Sequence, residues 1–123
     1  MKKILVVDDS PTELKMMCDP FISRGFDVIT ASDGEEALQK AMSGDISLII
    51  LDVIMPKMNG FNACRKIKTK DETKDIPIIL LTSKDQKSDR FWGLKQGADA
   101  YITKPFSPDE LLKTARQLIQ AGS

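Results

Sequence analysis

The sequence predicts an α/β fold: five βα units, (βα)5, forming a doubly wound parallel five-stranded sheet with helices on both faces. Three observations predict it. Short apolar runs rich in β-branched residues begin about every 20–30 residues. Helical patterns with recognisable start and stop signals lie between them. Three of the runs, Ile4–Val7, Leu48–Leu51 and Ile78–Leu81, are continuously apolar, as strands buried on both faces are.

The elements follow in order. The first strand is Ile4–Val7. Ser10-Pro11-Thr12-Glu13 then combines an N-cap serine, a proline at the first helical position and a glutamate placed for a capping box. Leu14, Met17, Cys18, Phe21 and Ile22 form one apolar stripe of that helix. Pro20 falls inside the pattern, where a proline costs ~3 kcal/mol, so a kink or an early end is expected. Gly25 stops the helix, and the second strand is Phe26–Thr30. Asp33-Gly34-Glu35-Glu36 is a weaker start signal, with Gly44 as the stop. The third strand is Ser47–Leu51 and the fourth Ile76–Thr82. In the helix that Gly97 ends, Phe91 and Leu94 are read as core and Trp92 as a cover over that helix. The fifth strand is Ala100–Thr103. Ser107-Pro108-Asp109-Glu110 repeats the first capping device and opens a helix whose stripe is Leu111, Leu112, Ala115, Leu118 and Ile119. These units use up the chain, so residues 1–123 are expected to be a single domain.

Composition excludes several functions. Eighteen basic and eighteen acidic residues give zero net charge, against the basic excess of a nucleic-acid module. The chain has no histidine, so no Ser-His-Asp or Cys-His relay and no His-ligated zinc is possible within it. Cys18 and Cys64 form no C-x-x-C pair and are read as small reduced core residues of a cytoplasmic protein. The apolar run after Met1-Lys2-Lys3 is too short for a secretory leader, and nothing approaches a membrane span.

Open parallel sheets bind ligands outside the carboxyl ends of their strands. At those ends the sequence places Asp8-Asp9, Asp52, Thr82-Ser83 and Lys104-Pro105. Two carboxylates ~5 Å apart repel by roughly 3 kcal/mol at an effective dielectric near 20. Three together call for a cation or a held proton. Hard oxygen donors without His or Cys suit Mg²⁺, which commonly also holds a phosphate. Lys104 could then neutralise a phosphoryl oxygen and Thr82 donate a hydrogen bond to another.

The stretches Val6-Val7-Asp8-Asp9-Ser10, Asp52-Val53-Ile54-Met55-Pro56-Lys57-Met58-Asn59-Gly60, Leu81-Thr82-Ser83, Gly97-Ala98-Asp99-Ala100-Tyr101 and Lys104-Pro105-Phe106 together resemble the CheY-like receiver domains of two-component response regulators. The resemblance implies the flavodoxin-like, CheY-like strand order 2-1-3-4-5. It implies that Asp52 is the phosphoacceptor, attacking the phosphorus of a phosphohistidine on a sensor histidine kinase or phosphotransfer protein. Asp8, Asp9, Asp52 and the backbone carbonyl of Ile54 would hold Mg²⁺, and Thr82 and Lys104 would grip the phosphoryl oxygens. The Lys104–Pro105 bond would be cis. Tyr101 would be a rotating aromatic that moves into space left by Thr82. Helix 4, strand 5 and helix 5 would form the output face for a downstream target, in a monomer or a weak phosphorylation-dependent dimer.

Ile54 and Lys84, two residues after Asp52 and Thr82, would tune the hydrolysis rate. Ile54 cannot hydrogen-bond a water, so the phosphoaspartate should decay slowly. Ser10-Pro11-Thr12-Glu13, Thr82-Ser83-Lys84-Asp85-Gln86 and the spacing from Trp92-Gly93 to Gln96-Gly97-Ala98 resemble single-domain regulators of type IV pilus twitching motility, beside chemotaxis regulators. Such a protein catalyses only its own phosphorylation and dephosphorylation and is not a turnover enzyme.

Three rivals differ in chemistry. A Mg²⁺-dependent phosphohydrolase of small phosphoesters would want Asp-x-Asp after the first strand, where Asp8-Asp9 are adjacent. A flavin binder would want a hydroxyl- and glycine-rich phosphate loop there. An unphosphorylated receiver-like interaction module would have no use for the full acidic set with Lys104.

Overall fold

In the computed structural model, which describes residues 2–121, strands and helices alternate along the whole chain. The strands are β1 (Lys3–Val7), β2 (Asp27–Ala31), β3 (Ile46–Leu51), β4 (Ile78–Thr82) and β5 (Ala100–Thr103). The helices are α1 (Pro11–Ile22), α2 (Gly34–Met42), α3 (Gly60–Thr69), α4 (Lys87–Lys95) and α5 (Pro108–Ala121). All strand pairs are parallel and the order is β2-β1-β3-β4-β5, the expected topology. Met1, Gly122 and Ser123, the ends of the expected 1–123 unit, lie outside the described residues.

Successive strand residues point to opposite faces, and both faces here are apolar. Ile4, Val6, Leu48, Ile50, Ile79, Leu81 and Ile102 pack against α1 and α5 through Met17, Phe21, Leu111, Leu112 and Ala115. Leu5, Val7, Ile49, Leu51, Ile78, Leu80 and Tyr101 pack against α2 and α3 through Ala37, Ala41, Ala63, Cys64 and Ile67. A layer of helices thus covers each face, which is why the central strands read as unbroken apolar runs. Cys18 belongs to one layer and Cys64 to the other; both are free and buried, with the sheet between them.

Four strand starts differ from the sequence reading: β1 and β3 begin one residue earlier, at Lys3 and Ile46, while β2 and β4 begin later. Phe26 precedes β2 because it closes α1: its N–H donates to the Phe21 carbonyl at 3.1 Å and its ring meets the Phe21 ring edge-on at 5.7 Å. β4 begins at Ile78 rather than Ile76, and Pro77, with no N–H for a ladder, contributes its carbonyl to Ile49 N–H at 3.0 Å. Nor does Pro20 end α1 early. It sits in the last turn, and the carbonyl it leaves free belongs to exposed Met16.

Helix α4 requires a correction. Phe91 and Leu94 are not core: they are 64% and 44% exposed, and Trp92, expected as a cover over the helix, is 50% exposed. Only Gly93 of α4 is buried. A Cβ there would come within 2.8 Å of Leu80 Cδ1 and 2.9 Å of the Tyr101 ring, so the missing side chain is what lets the helix settle on the sheet. Among the described residues no helix is long and apolar enough to cross a membrane.

Candidate functional site

The strand order reverses at β1, so the connections through α1 and α2 diverge and leave a crevice at the carboxyl ends of β1 and β3. Val7 and Leu51 are paired in register, which sets the next residues, Asp8 and Asp52, side by side. Backbone bonds fix both: Asp8 N–H to Ala31 at 3.2 Å and Asp52 N–H to Val7 at 3.0 Å. Asp8 is 1% and Asp52 6% exposed, while Asp9 faces water. Carboxylate oxygens of Asp8, Asp9 and Asp52 all lie within 4.8 Å of one another.

Gly60 holds the acceptor loop against the start of α3. Its N–H donates to the Val53 carbonyl at 2.8 Å, and a Cβ on it would overlap the Asp52 carbonyl oxygen. Asn59 caps the same helix by accepting from Asn62 N–H at 3.0 Å. One Asp52 oxygen accepts from Val53 N–H at 2.7 Å and Ile54 N–H at 3.4 Å.

Lys104 N–H is bonded to the Thr82 carbonyl at 2.8 Å, and the Lys104–Pro105 peptide is cis. The Lys104 ammonium lies 2.9 Å from Asp8, 3.1 Å from Glu13 and 3.6 Å from Asp52. Three carboxyl groups thus lie within 4 Å of the ammonium with Asp9 beside them, so the cleft holds four carboxyl groups to one ammonium. Burial holds the Asp52 carboxyl above its ordinary value, with Asp8 adding to the rise against the Lys104 charge. Burial would lower the Lys104 ammonium, but hydrogen bonds to Asp8 and Glu13 and the charges of Asp52 and Asp8 raise it.

An all-oxygen donor set with uncompensated negative charge fits a hard divalent cation such as Mg²⁺. Beside it lies a cleft of about 500 Å³, lined by Asp8, Asp9, Asp52, Ile54, Ser83 and Lys104 among others. Thr82 is fully buried at the end of β4, and its hydroxyl accepts from Lys84 N–H at 3.3 Å.

Tyr101 stands apart from this cleft, on the sheet face covered by α2, α3 and α4, with its ring beneath Gly93 of α4. It is 4% exposed and donates its hydroxyl to the Lys84 carbonyl at 2.7 Å. Burial pushes its phenol up to about 12. The Arg90 guanidinium lies 5.7 Å from the centre of its ring and donates to its carbonyl at 3.2 Å. The Lys84 ammonium pairs with Asp89 of α4 at 3.8 Å. Residues 82–84 therefore join the cleft to Tyr101 through backbone.

Sequence reasoning missed Glu13. Its spacing from Ser10 predicts a capping box, and only half of that box forms. Ser10 Oγ accepts from Glu13 N–H at 3.3 Å, but Ser10 N–H donates to Asp8 Oδ1 at 3.0 Å, leaving the Glu13 carboxylate to Lys104. The signal available was Asp8 itself, two residues before the cap.

With this geometry in place, the sequence model of the response regulator receiver domain family matches residues 4–116. Protein PilH of Pseudomonas aeruginosa is 39% identical over 119 residues, covering 97% of this chain and 98% of that protein. The alkaline phosphatase synthesis transcriptional regulatory protein PhoP of Bacillus subtilis is 44% identical over 97% of this chain, which spans 49% of PhoP. The chain likewise spans about half the length of several other curated relatives. Among solved structures, Vibrio cholerae chemotaxis protein CheY4 superposes with a TM-score of 0.89 at 37% identity, over 96% of this chain and 98% of that one. The receiver domain of the sensor histidine kinase PA1611 of P. aeruginosa, with a magnesium ion coordinated in its active-site cleft, gives 0.90 at 29% identity, over 97% and 98%.

Proposed function

We propose, from the premise that this chain belongs to the response regulator receiver family, that Asp52 accepts a phosphoryl group from a phosphohistidine on a sensor histidine kinase or phosphotransfer protein. The carrying observation is Lys104, whose ammonium spans Asp8 and Asp52 at the lip of the acidic cleft. An Asp52 carboxylate oxygen forms a bond to phosphorus as the phosphorus–nitrogen bond breaks. The electron pair returns to the imidazole, which takes a proton from solvent. Lys104 and Thr82 stabilise the phosphoryl oxygens. Asp8, Asp9, Asp52 and the Ile54 carbonyl hold Mg²⁺, which when bound offsets the charge between carboxylate and incoming phosphoryl group.

Phosphorylation adds nearly two negative charges and three acceptor oxygens. Thr82 is drawn toward them, and the chain from Thr82 through Lys84 carries that shift to Tyr101. The adduct is long-lived, because exposed Ile54 has no side-chain group to orient a water. The output is protein–protein contact through α4, β5 and α5, where Phe91, Trp92 and Leu94 already face solvent. The 39% identity to PilH, together with the Ser10–Glu13 and Trp92–Ala98 stretches, favours a cytoplasmic regulator of the twitching-motility type, with residues 1–123 forming one domain.

Intact mass after incubation with acetyl phosphate and Mg²⁺ tests this. A single adduct of about 80 Da that persists for minutes and is absent from Asp52→Ala is expected. Steady hydrolysis of a small phosphoester, with no adduct at Asp52, would overturn the reading in favour of a phosphohydrolase.

A further inference from the structure

We infer that Glu13 is a positioning residue that restrains Lys104 on the α1 side of the cleft, so that a phosphoryl group on Asp52 must win the lysine away from it. The inference rests on the phosphoacceptor reading above and adds to it what sets how readily the site is filled.

An ammonium has three N–H donors and no acceptor. Lys104 has Asp8 at 2.9 Å and Glu13 at 3.1 Å within hydrogen-bond distance, while the phosphoacceptor Asp52, at 3.6 Å, lies just beyond it. Asp8 is fixed by the strand and cannot yield, whereas Glu13 enters from another element on a flexible side chain. It is free to do so because Asp8 has already taken the Ser10 N–H that a capping box would give to Glu13. Asp8 therefore has two effects on the lysine: it binds it directly and releases a second carboxylate to bind it as well. The Glu13 side chain is 36% exposed, against 14% for Lys104, so the pair lies at the cleft mouth, where Glu13 can be displaced into water.

With Lys104 tethered, charge neutralisation at Asp52 is delayed until the incoming phosphoryl oxygens outcompete one carboxylate. Glu13 thus lowers both the phosphorylation rate and the phosphorylated fraction at steady state.

The test is the initial rate of adduct formation with acetyl phosphate and Mg²⁺, read by intact mass, for wild type, Glu13→Gln, Lys104→Ala and the double variant. Glu13→Gln keeps the size and the partly exposed position, and the loss of one ion pair at a cleft mouth corresponds to a change of about three-fold. The expected result is a rise of about that size with Lys104 present and no rise in the Lys104→Ala background, the coupling a double-mutant cycle isolates. Equal rates for wild type and Glu13→Gln, with the adduct on Asp52, overturn this inference and leave the phosphoacceptor reading standing. An equal rise in both backgrounds also overturns it, by showing that Glu13 acts through its field on the donor and not through Lys104. Absence of any adduct on the wild-type chain overturns both.

Discussion

Two lysines are shielded from water to nearly the same degree and sit in opposite kinds of surroundings. Lys68 is 15% exposed; its ammonium pairs with Asp99 at 2.8 Å and donates to the Ile76 carbonyl at 2.7 Å. The same Asp99 oxygen accepts from Ile78 N–H at 2.8 Å, tying α3 to the start of β4. One positive charge meets one negative charge, and the spare hydrogen-bonding capacity goes to backbone. Lys104, 14% exposed at the other end of the sheet, meets three carboxylates with a fourth nearby. A closed, neutral pair holds a fold together. An open cluster with surplus charge is tolerated only where binding something relieves it.

Disrupting each region should give opposite signs. The largest effect is expected from Lys68→Ala, which removes a charged hydrogen-bond donor from a settled network. It should cost about 2 kcal/mol, a fall of about 8 °C in melting temperature, and leave the phosphorylation rate unchanged. Next is the cation. Saturating the acidic cleft with Mg²⁺ at ten times its dissociation constant should raise stability by about 1.4 kcal/mol in urea titrations, reversed by a chelator and lost when Asp8 or Asp9 is neutralised.

The smallest effect is a gain. Asp52→Asn should stabilise the metal-free protein, by less than the cation does, because the carboxyl it replaces is held above its ordinary value by burial and by Asp8. A raised carboxyl binds more protons folded than unfolded. Its penalty therefore grows as pH rises from the ordinary carboxylate value through the folded one and is complete above it. The stabilisation should be full above the folded value and vanish in acid below the ordinary one, as unfolding curves across pH would show. Destabilisation by Asp52→Asn at neutral pH would mean that the cluster is as settled as the Lys68 pair.

Much of this was legible in the sequence because burial on both faces leaves a plain trace. Ile4–Val7, Leu48–Leu51 and Ile78–Leu81 contain no polar residue, and the charged residues that matter stand directly after such runs. Strand ends in a parallel sheet share one edge, so Asp8, Asp52, Thr82 and Lys104 could be gathered there without coordinates. What escaped depends on partners far along the chain. Ser10-x-x-Glu13 satisfies a local rule, and only the position of Lys104, brought in by β5, shows that the carboxylate is spent elsewhere. The exposure of Phe91, Trp92 and Leu94 was hidden because an apolar helix pattern does not reveal whether anything lies opposite it. Tyr101 was identifiable, but its hydroxyl partner is a backbone carbonyl, which leaves no mark in a string of side chains. Nor does the clearance beneath Gly93: a glycine in a helix looks like a flaw until the ring it makes room for is known.

The two native thiols have a practical consequence. Cys18 and Cys64 are 6% and 0% exposed, and burial pushes the Cys64 thiol up to about 12, so neither offers a reactive thiolate near neutral pH. A cysteine placed at an exposed position such as Trp92 could be labelled selectively with a fluorophore or spin label in the otherwise unaltered chain, giving a readout at α4 of whether filling the cleft at the far side of Tyr101 is felt there.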